Sequence, residues 1–209
     1  MRTLFVGLML VAAAAPAWAQ DAKSYVGVGA GVSSFDVDAC DGLPAGFSCD
    51  DSGFAWNVRA GYYLFPWLGF EGTFLDFGKG AVPGVLLNPP AGTVPIPTDS
   101  DMRASAIAAS LVGRIPIGPV SVLGRVGWGA ITGKYSGIAA VQDVTTGAVQ
   151  YFGAQARDTT GQLVYGVGVA FDFTPSLTAR LDWDRTKAED GQNPEFDVEM
   201  FTAGVSYRF

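Results

Sequence analysis

The sequence contains no histidine and few charged residues. Most catalytic serines and cysteines use a histidine as their base, so Ser-His-Asp and Cys-His arrangements cannot be built. The chain also has no Gly-Lys-Ser/Thr loop of the kind that cradles phosphates. Its net charge of −7 disfavours nucleic acid, because phosphate binding needs clustered lysines and arginines. We therefore expect no enzyme, no cofactor and no nucleic-acid partner.

Long hydrophobic runs are also missing, apart from one near the N terminus. Arg2 precedes an apolar segment at residues 4–15, and the following Ala17, Trp18 and Ala19 form the small-x-small pattern that signal peptidase cleaves. The alternative is a membrane-spanning helix, but the segment is shorter than the roughly 18 apolar residues that such a helix needs. We predict that residues 1–19 are a signal peptide and that residues 20–209 form one exported domain.

Cysteine is rare, since the chain has Cys40 and Cys49 alone, in a segment rich in glycine and aspartate. In an exported protein, two neighbouring cysteines predict a disulfide that closes a loop in the oxidising periplasm. Metal binding is the disfavoured alternative, because no histidine is available to complete a site. The aspartates of the segment lack the full spacing of a calcium loop, so we predict a solvated acidic loop and no metal site.

The sequence does contain a period-two alternation of apolar residues with small or polar ones. Every odd position from Phe201 to Phe209 is apolar, and every even position between them is small or polar. Side chains on a strand alternate between its two faces, so this segment is predicted to be a strand. Seven further segments show the same alternation, at residues 25–35, 54–62, 68–77, 103–115, 120–132, 163–173 and 177–183.

The connections between these eight segments alternate between short and long. Tight turns that contain proline lie at residues 64–67, 116–119 and 174–176, and longer segments lie at 36–52, 79–101, 135–158 and 187–194. This asymmetry is typical of outer-membrane barrels. We predict an all-β protein, an eight-stranded antiparallel up-and-down transmembrane β-barrel. A soluble barrel of the lipocalin type, with its apolar face inward, is the alternative.

The composition of the two strand faces favours an apolar exterior. The less apolar face is mostly glycine, alanine, serine and threonine, which suits a crowded interior. The other face carries large aromatic residues, several of them near strand ends, as the girdles of a membrane barrel require. Outer-membrane lipid is therefore an expected partner of the exterior.

Charged residues on the predicted inner face must pair, because an unpaired buried ion is costly. Arg59 and Glu71 lie at similar distances from the turn at residues 65 and 66, so we predict that they are neighbours across adjacent strands. We interpret the inner charges as a structural plug, with a proton or ion path as the alternative and acid–base catalysis by the paired aspartates disfavoured. The predicted interior ion pairs are formed by Arg59, Arg114, Arg125, Arg180, Glu71, Asp172, Asp182 and Asp184.

Four segments give the chain a resemblance to a known family. They are YVGVGAG at 25–31, SLVGRIP at 110–116, YGVGV at 165–169 and TAGVSYRF at 202–209. In this order and spacing they resemble the OmpA-like and OmpX-like outer-membrane β-barrel domains over essentially the whole mature length. The resemblance implies a bacterial outer-membrane location, and it implies that Tyr207 and Phe209 form the C-terminal signal recognised by the barrel-assembly machinery. No peptidoglycan-binding domain follows the predicted barrel, so we do not expect cell-wall tethering.

The role predicted from these features is structural or interactive. Exposed loops on a rigid scaffold are where binding usually takes place, so we expect a contribution to envelope integrity or to surface adhesion through the loops. Two of them are distinctive: the loop at 79–101 is rich in proline, and the loop at 135–158 carries Tyr151 and Phe152. A narrow channel for small solutes or ions is the alternative. The sequence names no loop ligand.

Overall fold

The computed structural model of the protein describes residues 23–36, 52–83, 91–96, 98–188 and 196–209. The signal peptide predicted at residues 1–19 and the disulfide predicted between Cys40 and Cys49 lie outside these residues. Within the described ranges, no helix is long and apolar enough to cross a membrane. The strands are β1 Ser24–Asp36, β2 Ser52–Phe65, β3 Leu68–Pro83, β4 Thr93–Ile96, β5 Asp99–Ile117, β6 Val120–Asp143, β7 Val149–Asp172, β8 Leu177–Ala188 and β9 Phe196–Arg208.

Eight of these strands close into one antiparallel barrel. Their order is β6-β5-β3-β2-β1-β9-β8-β7, and β7 pairs back with β6 to complete the circle. The first and last barrel strands are neighbours, so that Val28 of β1 lies opposite Val58 on one side and Val205 on the other. The predicted fold class, an eight-stranded up-and-down barrel, is confirmed. The short strand β4 is additional and pairs with the far end of β6.

The bulky apolar side chains point outward, away from the barrel axis. Phe201 is 54% exposed, whereas Arg180 and Asp182 are 5% and 2% exposed. The apolar positions of the alternating segments therefore form the exterior, and the charged positions form the interior. This arrangement is typical of a barrel that spans a membrane, because a soluble barrel would have its apolar face inward and its polar face outward.

Two strands are much longer than the alternation predicted. β6 and β7 contain 24 residues each, or about 80 Å of extended chain. The segment at 135–158, predicted to be a loop, is mostly the paired upper halves of these strands, joined by a turn after Asp143. The prediction of a loop was wrong because the regular apolar alternation fades above residue 132, although the backbone pairing continues.

Close strand contacts fix the position of two glycines. A Cβ atom at Gly31 would lie 1.9 Å from the backbone oxygen of Phe201 on β9, so only glycine fits there. Gly78 has a φ of 74°, the left-handed conformation that glycine adopts without strain. It lies in the irregularity of β3 between Asp76 and Lys79, after which the side chain of Lys79 points outward.

The interior is divided into two layers along the barrel axis. The half near the short turns is polar and charged. The half near the long connections is filled with apolar side chains to which every barrel strand contributes, and we call it the apolar layer. Its members are Phe35, Ala55, Leu75, Phe77, Met102, Ala104, Ala106, Ala108, Ile131, Val164, Ala188, Val198 and Met200.

Candidate functional site

A cluster of buried ions occupies the middle of the barrel, with Glu71 at its centre. Glu71 Oε1 accepts a hydrogen bond from Arg125 Nη1 at 2.9 Å, and its Oε2 accepts one from Arg180 Nη1 at 3.0 Å. The hydroxyl of Tyr25 donates to the same Oε2 at 2.7 Å. Glu71 thus ties together strands β1, β3, β6 and β8 from one buried position.

The remaining members of this central ion cluster come mainly from β8. Asp182 lies 2.6 Å from Arg59 Nη1 and 3.1 Å from Arg180 Nη2. Asp184, two residues further along the same face, accepts a hydrogen bond from Arg125 Nη2 at 2.8 Å. The cluster therefore joins three arginines to three carboxylates, all of them buried, and carries no net charge.

A second ion cluster closes the barrel at the end with the short turns. Asp172 lies 2.6 Å from Arg114 Nη2 and also pairs with Arg208. The hydroxyl of Thr178 donates to Asp172 at 2.7 Å, and Arg114 Nε donates to Ser121 at 2.9 Å. All eight charged residues singled out in the sequence thus lie in one of the two clusters.

The pairing within the clusters differs in detail from what the sequence suggested. Arg59 lies in register with Thr73, and Glu71 lies in register with Gly61, so Arg59 and Glu71 are diagonal rather than directly opposed. The ion pair of Arg59 is with Asp182 on β8 instead. The turn lies at Pro66 and Trp67, one residue further along the chain than the sequence suggested, so Arg59 faces Thr73 even after the one-residue register shift between residues 63 and 65.

Several interior residues were missed by the sequence reasoning. Arg208 completes the second cluster, and Asn57 links Arg59 to Thr202 through hydrogen bonds of 2.7 Å and 3.0 Å. Position 57 shares the inward face of β2 with Arg59, and position 202 is one of the small or polar even positions of β9. The period-two pattern thus places all three residues on the inward face, including Arg208, which the predicted set of interior charges did not include.

The interior leaves little open space. Among the described residues, a cavity of about 20 Å³ lies between the two ion clusters and is lined by Tyr25, Tyr63, Arg180 and Ser206. That volume holds about one water molecule. Nearer the long connections, the apolar layer fills the bore. Over the described residues, packed side chains therefore fill most of the barrel interior.

The other prominent feature is a sheet that extends beyond the barrel, formed by the upper parts of β6 and β7 together with β4. We call it the protruding sheet. Its tip is the turn after Asp143, whose carboxylate accepts hydrogen bonds from the backbone N–H groups of Thr145 and Thr146 at 2.8 Å each. These bonds hold the pKa of Asp143 below its usual range. Tyr151, at 72% exposed, is a prominent apolar side chain near this tip.

The two edges of the protruding sheet differ. β4 covers one edge, pairing Thr93 with Asp143 and Ile96 with Ala140. On the other edge, β8 pairs with β7 only from residue 164 onward. Among the described residues, no strand pairs with that edge of β7 over residues 149–163. Within the described part of the chain, this edge of β7 therefore presents a row of backbone donors and acceptors that another chain can pair with.

Comparison with known proteins agrees with this architecture. The family model of the outer membrane protein beta-barrel domain matches residues 5–209. The chain belongs to this family. As an outer-membrane β-barrel protein it is integral to the bacterial outer membrane, and its short turns lie in the periplasm while its long connections lie outside the cell. The protruding sheet is thus extracellular, and the central ion cluster lies within the membrane.

Solved structures of other outer-membrane proteins are similar to this chain at low sequence identity, and the first two named here share its fold. Neisserial surface protein A is 16% identical with a TM-score of 0.56, covering 89% of this chain and 97% of its own. A major outer membrane protein from Thermus thermophilus is 17% identical with a TM-score of 0.50, and the match covers 90% of this chain and 98% of that protein. The attachment invasion locus protein Ail of Yersinia pestis is 19% identical with a TM-score of 0.47, and the match covers 90% of this chain and 99% of that protein. Comparison with curated proteins gave no match.

Proposed function

We propose that this outer-membrane β-barrel protein is a non-enzymatic interaction protein, which uses the barrel as an anchor and the protruding sheet as its contact surface. The extension of β6 and β7 beyond the barrel carries this proposal. Membrane-spanning strands of such barrels need about 9–11 residues, so strands of 24 residues exceed what the membrane requires. Surface adhesion and envelope integrity are the roles that such a surface serves best.

The chemistry of the protruding sheet supports contact with another macromolecule. Exposed apolar side chains near the tip include Ile138, Val144, Val149 and Tyr151. Large exposed apolar groups on a rigid element are typical of interaction sites. The uncovered edge of β7 adds backbone groups that bind an extended segment by strand pairing. The surface therefore combines apolar contacts with a template for hydrogen bonds.

Adhesion of bacteria that display the full chain tests this proposal. We expect Tyr151→Ser combined with Val149→Ser to reduce adhesion to immobilised extracellular-matrix proteins, and to other cells of the same strain, by several-fold. A matched control is Val167→Ser, which changes an exposed valine on the barrel wall instead of on the sheet. Heat-modifiable gel mobility shows that each variant has folded. Equal adhesion by the sheet variant and the unchanged protein contradicts the proposed role.

A narrow channel remains the competing function, and the closed interior argues against it. The two ion clusters and the apolar layer occupy the bore from the periplasmic end outward, and eight strands enclose room for little besides side chains. We expect purified protein in planar bilayers to give no steady single-channel current. Regular unitary currents that disappear with a barrel-interior variant would favour the channel.

Export and assembly complete the proposal. Tyr207 of β9 and Phe209, which follows the strand, are both exposed and have ring centroids 6.5 Å apart, so they form a continuous aromatic surface at the periplasmic end. We propose that the barrel-assembly machinery recognises this surface and that a peptidase removes residues 1–19. Phe209→Ala is expected to lower the folded fraction in the outer membrane, whereas Phe173→Ala, another exposed aromatic near that end, is not. The mass of the mature protein tests the cleavage.

A further inference from the structure

Four basic side chains stand in one row across four adjacent strands of the barrel exterior. Strand register places Lys79 of β3 opposite Arg103 of β5, Arg103 opposite Lys134 of β6, and Lys134 opposite Arg157 of β7. All four residues are exposed. Three strand spacings separate the first from the last, so the row spans about 14 Å. We call it the cationic row.

This arrangement is unfavourable for the isolated protein. Like charges directly opposite one another on neighbouring strands are destabilising, and here three successive pairs are alike. Among the described residues, Arg103, Lys134 and Arg157 form no ion pair, while Lys79 makes one at 3.8 Å with an exposed Asp101. Such an exposed pair is weakened by water.

On the wall formed by β8 and β9, outward cations are paired with acidic residues. There Arg185 lies in register with Glu199 and Lys187 with Asp197, so each outward cation faces an acid. Arg185 also lies 2.9 Å from both of those carboxylates. The chain therefore neutralises its outward cations on one wall and leaves them concentrated on the other.

The level of the cationic row matches the lipid headgroups. On β5, β6 and β7, the outward residues nearer the periplasm form two further rows in register: a hydroxyl row directly beneath the cations and an apolar row beneath that. The hydroxyl row is Ser105, Thr132 and Thr159, and the apolar row is Ile107, Ala130 and Gly161. This order, from apolar through hydroxyl to cation, follows the change from hydrocarbon to phosphate across a leaflet.

Two apolar grooves lie on the same wall, one at the level of the apolar row and the other below it. One has a volume of about 510 Å³ and lies between Phe70, Leu111 and Leu163, where Gly72 and Ala109 leave the wall shallow. The other has a volume of about 320 Å³ and is floored by small residues that include Ala109. Trp128, 63% exposed, borders both. A row of cations above apolar grooves is complementary to a molecule with phosphates above acyl chains.

We propose that the wall formed by β3, β5, β6 and β7 binds the phosphorylated headgroup of an outer-leaflet glycolipid, a lipopolysaccharide. The cationic row contacts the phosphates, the hydroxyl row contacts the sugar, and the grooves hold acyl chain. The site lies on the barrel wall and is independent of contacts made by the protruding sheet, so either proposal can fail without the other.

Reconstituted full chain and purified lipids test this site. Bisphosphorylated lipid A in phosphatidylcholine nanodiscs is the probe, and retained lipid A is measured by native mass spectrometry across a titration. Each basic residue near an anionic surface contributes about fivefold in affinity. Arg103→Gln/Lys134→Gln/Arg157→Gln is therefore expected to weaken binding by roughly a hundredfold. The charge-retaining Arg103→Lys/Arg157→Lys protein, and Lys23→Gln at the periplasmic end, are expected to bind almost as the unchanged protein does.

The grooves are tested separately. Ala109→Leu fills the floor shared by both grooves, and it is expected to weaken lipid A binding several-fold while leaving the cationic row intact. Three results would overturn the proposal. In one, lipid A without phosphates binds equally well. In another, inorganic phosphate competes at the affinity of lipid A, so that a soluble anion suffices. In the third, a sulfated polysaccharide binds to the row and lipid A does not.

Discussion

Replacing Glu71 by glutamine removes one charge from the central ion cluster and changes the size of the side chain very little. Glu71 accepts hydrogen bonds from Arg125 at 2.9 Å, from Arg180 at 3.0 Å and from Tyr25 at 2.7 Å. After the change, three buried guanidinium groups face two carboxylates. Breaking a buried ion pair from one side costs about 3–5 kcal/mol. Because the amide oxygen still accepts one bond, we expect the free energy of unfolding to fall by about 3 kcal/mol.

Urea unfolding in phosphatidylcholine vesicles, followed by tryptophan fluorescence and by gel mobility, measures this loss. Glu199→Gln is the matched control, since Glu199 lies 2.9 Å from Arg185 on the partly exposed exterior. The free energy of unfolding of Glu199→Gln is expected to fall by less than about 1 kcal/mol. The double variant Glu71→Gln/Arg180→Gln restores two cations to two carboxylates, so it should be more stable than the sum of the single losses predicts. The reasoning is refuted if Glu71→Gln costs no more than Glu199→Gln, or if the two interior losses simply add.

Three further predictions concern other parts of the chain. Reduction of the disulfide proposed between Cys40 and Cys49, or its replacement by two serines, is expected to lower the free energy of unfolding by about 2–3 kcal/mol, with non-reducing mass analysis as the check. Folding lowers the pKa of Asp143, so its bonds stabilise the turn above the ordinary pKa and are lost as the pH falls through the lowered pKa. Amide protection factors in the turn, corrected for intrinsic exchange at each pH, should therefore fall only in acid, and Asp143→Asn should not show this fall. Gly31→Ala should lower the free energy of unfolding by about 1–3 kcal/mol and should therefore unfold at a lower urea concentration. Gly124→Ala, which has open space around it, should not.

The barrel could be predicted from sequence because a membrane imposes a simple rule on its strands. Wherever the exterior faces hydrocarbon, every second residue must be apolar, as from Phe201 to Phe209, so strand number and orientation follow from the alternation. Above residue 132 of β6 both faces leave the hydrocarbon, and the rule lapses although hydrogen bonding continues to Asp143. The protruding sheet was therefore mistaken for a loop.

The apolar layer was missed for a related reason. Period-two reasoning assigns one face as apolar and treats the other as polar, but Phe74, Leu75 and Phe77 put large apolar groups on both faces of β3. Composition cannot divide such a stretch into lipid-facing and inward residues. Met102 and Ile131 are also inward apolar side chains, and their neighbours along the strand are charged, small or polar residues on the outward face.

The ion clusters were predictable as a set and not as pairs. A strand pattern tells which face a charge occupies, and that was sufficient to place Arg59 and Asp182 inside. Their contact at 2.6 Å joins positions 123 residues apart and depends on how far the strands are staggered when the barrel closes. Stagger follows from turn irregularities such as the one between residues 63 and 65, which composition does not reveal.

The cationic row is unusual because the chain as a whole is acidic. With 20 acidic residues against 13 basic ones, the protein has more than enough carboxylates to neutralise every cation. It does so inside the barrel, where Arg59, Arg125 and Arg180 meet three acids, and again at Arg185 on the exterior. A shortage of acids therefore does not explain why, within the described part of the chain, four neighbouring cations share a single exposed acid. At the level just above the apolar wall of an outer-membrane barrel, lipid phosphate is a source of negative charge outside the chain, and this is the source that the proposed lipopolysaccharide site uses.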